Sequence, residues 1–150
     1  MKTVVIGEKL ENKKYDFRET CFGICNYNGK LLLVEKKGQL SFVGGGIESK
    51  ESHEDCLKRE FLEESGYELV KMTPLVTIDC FWLAAGKWPL ESIANFYIVE
   101  VGRKLGSPTE EGHVVKFIDL KDADSVLPLP YHKKALEIFI NLLNLLKSIR

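Results

Sequence analysis

The chain has little of what staples small or secreted folds together. Its 150 residues include four cysteines, Cys21, Cys25, Cys56 and Cys80. None forms a C-x-x-C pair, and none combines with His53, His113 or His132 at a zinc-binding spacing, so free thiols are expected rather than a metal knuckle or a disulfide framework. An excess of charge is also missing. With 21 basic residues against 22 acidic, the formal net charge is -1, and no global field draws in a nucleic-acid polymer or an anionic membrane. The opening segment, Met1 to Glu8, turns polar before a signal-type apolar stretch can develop, so the expected location is cytoplasmic. Internal repeats, low-complexity tracts and long linkers are absent as well. What is present is 45% apolar content over residues 1–150, enough for a single domain with a substantial core.

Two β-rich runs, Thr20 to Asn26 and Lys30 to Lys36, flank Tyr27-Asn28-Gly29 and predict a hairpin, since Asn-Gly is favoured where both turn residues need positive φ. A shorter run, Leu40 to Val43, enters Gly44-Gly45-Gly46, where the strand is expected to end and the backbone can approach a ligand closely. Ser52 is placed to cap a helix, with Asp55 three residues on in the position of a capping box. Leu57, Phe61 and Cys56 supply that helix's apolar stripe, and Gly66 supplies its stop. Leu75 to Leu83, Ser92 to Val101 and Val114 to Ile118 read as further strands. Pro130 suits a first helical turn, and Ala135, Leu136, Phe139, Ile140, Leu143, Leu146 and Ile149 repeat at helical spacing. Leu142 and Leu145 widen this terminal helix's apolar face, which admits packing on the sheet or self-association into a homodimer.

The most informative stretch lies between the glycines and Gly66. Glu60, Glu63 and Glu64 fall three and four residues apart, so a helix carries them on one face. They sit at its C-terminal end, where carboxylates oppose the macrodipole at a cost of a few tenths to about 1 kcal/mol each. Helix stability does not select such an arrangement. A hard divalent cation, Mg²⁺ or Mn²⁺, does, because it prefers carboxylate oxygen.

Gly45, five residues, Glu51, seven residues and then Arg59-Glu60-Phe61-Leu62-Glu63-Glu64-Ser65-Gly66-Tyr67 closely resemble the Nudix box. Every charged and glycine position of that pattern is filled, with Tyr67 aromatic where an aliphatic residue is commoner and Val43 standing where many members carry proline. The resemblance implies an α/β fold, an α/β/α sandwich around a central mixed β-sheet with the box helix and C-terminal helix packed on it. It also implies hydrolysis of a diphosphate linkage in a small-molecule nucleoside diphosphate derivative, a nucleoside triphosphate or related conjugate, with Mg²⁺ or Mn²⁺ as cofactor. By the same resemblance Glu60 and Glu64, then Glu63 and the Gly45 carbonyl, are the metal ligands. Arg59 and Glu51 support them as an ion pair. The general base stays open: Glu64 is the first candidate, and Glu110 or Glu111 lies where some relatives place a further carboxylate, Glu111 being preferred on its spacing to Phe117. Arg18, Lys36 and Lys37 are candidate phosphate contacts, and Trp82, Trp88, Phe96 and Tyr97 are candidates to stack on a base. Neither the downstream proline of many ADP-ribose hydrolases nor the S-Q-P-W-P-F-P run of NADH pyrophosphatases is found, so the substrate is left open. The alternative from another class is a sensor that binds a nucleotide or phosphorylated metabolite on the same fold without turnover.

Overall fold

The computed structural model describes residues 1–109 and 112–149, so Glu110 and Glu111 lie outside the described residues. The elements run β1 Thr3–Ile6, β2 Asp16–Ile24, β3 Asn26–Tyr27, β4 Lys30–Lys36, β5 Gln39–Gly46, α1 His53–Ser65, β6 Tyr67–Ala84, β7 Trp88–Lys104 and β8 His113–Asp119. A 3-10 turn at Leu120–Asp122, a short α2 at Ala123–Val126 and α3 at Pro130–Ser148 complete the chain. The sheet order is β1-β6-β7-β2-β5-β4-β3, with β8 pairing β4. It is mixed, because β1 with β6 and β2 with β7 are parallel while the other pairs are antiparallel.

Strand alternation builds the sandwich. Cys21, Leu32, Val43 and Tyr97 face one side, where they pack with Cys56, Leu57 and Phe61 of α1. Their immediate neighbours Phe22, Leu33, Phe42 and Phe96 face the other, where they pack with Ala135, Leu136 and Phe139 of α3. A period of two does this without any special device. The α/β/α arrangement read from the box thus stands. The far end of α3 leaves Leu145, Leu146 and Ile149 exposed. No helix among the described residues is long and apolar enough to cross a membrane.

Four expectations need correction. The hairpin about Asn28 and Gly29, both at positive φ, is short, pairing only Asn26 and Tyr27 with Leu31 and Lys30. β2 does not join it, because its two edges are already taken by β7 and β5. Gly44 to Gly46 do not end β5: they continue it, pairing with Phe22, Cys21 and Thr20. β6 and β7 outrun their hydrophobic patterns, register shifts between Tyr67 and Val76 carrying the ladder past Pro74, which lacks an N–H. β1 was not foreseen. It is only four residues long and contributes Val4 and Ile6 to the α3-side core.

β5 changes partner along its length. Gln39 to Phe42 pair with β4, and Val43 to Gly46 pair with β2. The glycines therefore sit where two parts of the sheet diverge, beneath α1.

Candidate active site

α1 is fixed at both ends by its own sequence. Ser52 Oγ accepts the Asp55 amide proton and Asp55 in turn accepts from the Ser52 N–H, so the capping box is complete with aspartate. Gly66, at φ 77°, closes the helix with its N–H on the Leu62 carbonyl. The buried face carries Cys56, Leu57 and Phe61, and continuous with them Glu60 and Glu64. Packing against β5 thus delivers carboxylates to the glycine strand.

Gly45 makes the approach possible. A Cβ there would lie 2.6 Å from Glu60 Oε1 and 2.9 Å from its carboxyl carbon. A side chain there would push that carboxylate away from the strand. Cys56, expected as helix packing, is fully buried and directs its thiol at the Gly45 and Gly46 carbonyls at 3.8 and 3.7 Å.

Arg59 ties the cluster together. Its Nε and Nη2 donate to the two oxygens of Glu51 at 2.7 and 2.9 Å, a bidentate pair. Nη1 donates to Glu60 at 2.9 Å and Glu63 at 3.2 Å, and Nη2 also reaches the Gly46 carbonyl at 3.1 Å. Glu51 is held down to a pKa of about 2, first by its hydrogen bonds from Arg59 and then by the Glu48 amide. Burial pushes the Glu60 carboxyl up, against the pull of Arg59.

Glu64 is the most enclosed of the set, at 1% exposure. One oxygen accepts the Gly44 N–H at 2.9 Å, and the other meets the Lys36 ammonium, with His113 Nδ1 at 3.7 Å. Burial raises its pKa to about 7, although Lys36 and the Gly44 amide pull the other way. Four carboxylates, Glu51, Glu60, Glu63 and Glu64, thus share two permanent cations, Arg59 and Lys36. Negative charge is left over. Among the described residues no group of three or more His, Cys, Asp or Glu side chains is already placed to hold a metal ion. The donor types nonetheless suit a hard divalent cation: carboxylate oxygens, an adjacent peptide carbonyl, and buried charge that existing partners only partly offset.

A cleft of about 190 Å³ opens beside this cluster, lined by Arg18, Lys36, Gly44 and Gly45 together with Phe22, Leu40, Tyr131 and His132. The structure therefore brings Gly45, Glu51, Arg59, Glu60, Glu63, Glu64 and Lys36 together and sets Arg18 at the neighbouring mouth. The aromatic candidates fare differently. Phe96 is core, Tyr97 is buried on the α1 side, Trp82 donates to Ser92 Oγ at 2.9 Å, and Trp88 is exposed at the β6–β7 turn. None of the four lines the cleft. His53 is half-buried, its Nδ1 2.5 Å from the Tyr97 hydroxyl.

Tyr131 and His132 are among the cleft residues that no expectation from the sequence included. A signal was there: His132 lies three, four and seven residues before Ala135, Leu136 and Phe139, on the same apolar stripe. It is fully buried, stacked on Phe42 at 5.6 Å between ring centroids and edge-on to Phe22 at 4.4 Å. Burial, reinforced by Lys36, depresses its pKa to about 3. Between pH 6.5 and about 3 the unfolded chain binds a proton at this residue that the folded chain refuses. Stability should therefore fall as pH falls through that window, by about 1.4 kcal/mol per pH unit from this residue. Urea unfolding at several pH values should show a shallower decline in His132→Gln. An unchanged slope in that variant would assign the decline to other groups.

Comparison with known proteins agrees with the architecture. A family model described as NUDIX domain matches residues 18–142. No curated protein matches the chain significantly. Among solved structures, a NUDIX hydrolase from Nitrosomonas europaea is 18% identical, covering 84% of this chain and 90% of its own, with a TM-score of 0.67. A MutT NUDIX hydrolase from Burkholderia pseudomallei is 24% identical, with coverage of 81% and 97% and a TM-score of 0.65. An ADP compounds hydrolase is 19% identical, with coverage of 85% and 73% and a TM-score of 0.66. At these identities the solved structures establish the fold.

Proposed function

The chain belongs to the Nudix hydrolase family, and on that footing we propose that it hydrolyses a diphosphate linkage in a nucleoside diphosphate derivative with the help of Mg²⁺ or Mn²⁺. The observation that carries the proposal is the burial of Glu60 and Glu64 against the glycine strand, next to a cleft whose mouth is cationic. Folding gains little from burying carboxylates, even with Arg59 and Lys36 beside them, when four share two cations. A reaction that needs a divalent cation does gain from it.

Glu60, Glu63, Glu64 and the Gly45 carbonyl would hold the ion. When bound, such an ion neutralises phosphate oxygens and makes water more acidic. Glu64 is the proposed base. A carboxylate there can take a proton from water that a bound ion has made more acidic. As the water oxygen bonds to phosphorus, Glu64 takes the proton and the phosphate–phosphate bridge breaks toward the leaving phosphate. Arg59, clamped by Glu51, positions Glu60 and Glu63 through its Nη1 hydrogen bonds. Lys36 and Arg18, at the cleft wall, are placed to meet phosphate charge.

The deciding experiment offers a panel of nucleoside triphosphates, nucleotide sugars and dinucleotides with Mg²⁺ or Mn²⁺ and measures monophosphate and pyrophosphate release. Turnover of at least one compound is expected, with loss on adding a chelator. Binding throughout the panel without release would instead make the chain a sensor.

A further inference from the structure

The cleft contains a hydrogen-bond donor that the fold does not use. His132 Nδ1 accepts the Phe42 amide proton at 3.3 Å, so the neutral ring carries its own proton on Nε2. That atom is buried and has no hydrogen-bond partner among the described residues, while the ring lines the cleft. Stacking on Phe42 and contact with Phe22 prevent it from swinging elsewhere. Such a donor is costly to leave unmatched.

The remaining polar lining has the same bias. Arg18 and Lys36 can only donate, Thr20, Gln39 and Ser41 can do either, and among the described residues no Asp or Glu side chain lines the cleft. Phe22, Tyr131, Leu40 and Leu129 supply apolar walls. The volume, about 190 Å³, equals the share of about six water molecules. That suits one planar ring system, with attached phosphates extending past Gly44 and Gly45 toward the carboxylates.

We propose that His132 is a specificity-determining residue, whose Nε2–H donates to a carbonyl oxygen on the nucleobase so that the site selects oxo-bearing bases over bases presenting an amino group there. Guanine, hypoxanthine, uracil and thymine offer the acceptor. Adenine and cytosine would set an amino N–H against Nε2–H, and two donors facing each other exclude water without forming a bond. The inference rests on the diphosphate hydrolysis proposed above.

The test compares kcat/KM for guanosine, inosine, adenosine and 2-aminopurine riboside triphosphates, and for the uridine and cytidine pair, in wild type, His132→Asn and His132→Gln. Asn retains an acceptor for the Phe42 N–H but does not extend to the Nε2 position, whereas Gln places an amide donor near it. Wild type should prefer guanosine and inosine over adenosine and 2-aminopurine by about tenfold or more. That ratio should collapse in His132→Asn and recover in part in His132→Gln. Equal use of oxo and amino bases by wild type would overturn the proposal, as would an equal loss on every base in His132→Asn. The wild-type ratios test it even where a variant folds poorly. Base-free 5-phosphoribosyl diphosphate runs in parallel on wild type. Its hydrolysis without any base preference sinks the specificity alone, whereas no hydrolysis of any compound sinks the diphosphate reading and this inference with it.

Discussion

Glu64→Gln is expected to lower kcat by about a thousandfold or more at saturating divalent cation, with the fold intact. A ligand to such an ion supports several kcal/mol of transition-state charge, and about 4 kcal/mol corresponds to three decades in rate. The fold should tolerate the change for a local reason. Glutamine matches the shape of Glu64 and can still accept the Gly44 N–H, while Lys36, a third exposed, can turn to water. Removing a carboxylate that burial already disfavours also relieves the metal-free protein. Thermal melting should therefore show a variant at least as stable as wild type without metal, and titration calorimetry should show weakened Mn²⁺ binding. Turnover within about tenfold of wild type would remove Glu64 from both of its proposed roles.

The largest expected loss of stability comes from Gly44→Ala. A Cβ at this position would fall 2.0 Å from the Cys21 carbonyl oxygen and 2.7 Å from Phe22 Cα, and the backbone φ of 155° adds strain for any side chain. The obstructing atoms are main chain. They cannot retreat, because β2 is paired along its other edge with β7 over nine residues. A cost above about 4 kcal/mol is expected, a large part of the roughly 5–15 kcal/mol that holds such domains folded. Gly38→Ala is the control, since its Cβ would meet nothing within 4 Å although φ is 79°. Its expected cost is only the strain of positive φ, about 1 kcal/mol. If urea unfolding gave the two variants similar midpoints, the close seating of β5 on β2 would be wrong.

The box helix was legible almost to the residue, because caps, stripe and carboxylates are all local signals. Ser52, Asp55 and Gly66 each act within four positions of themselves, and the structure uses all three as their chemistry suggests. Pairing was less legible. The run Leu40 to Val43 and the glycines after it look like a strand and a loop, and nothing within the segment says that β2 will extend the ladder through Gly46. The cleft was harder still, since Arg18, Lys36, Gly44 and His132 come from β2, β4, β5 and α3. Their meeting is a property of topology. The aromatics chosen for stacking had the right composition, but alternation turned Phe96 into core and the β6–β7 turn carried Trp88 away. His132 hid in plain view on an apolar stripe, where a histidine reads as filler until its second nitrogen is accounted for.

The divided loyalty of β5 has a consequence for how the molecule comes apart. Its first half is bound to β4 and its second half to β2, so neither portion of the sheet can detach while this strand stays whole. Partial unfolding that kept one half would pull Gly44 and Gly45 from under Glu64 and Glu60. The residues of the box could all survive in such an intermediate, yet the amides that seat the carboxylates would be open to exchange with solvent. Activity and global cooperativity are thereby tied to one eight-residue strand. A fragment carrying the box alone would inherit the motif without the divided strand pairing that gives it a shape.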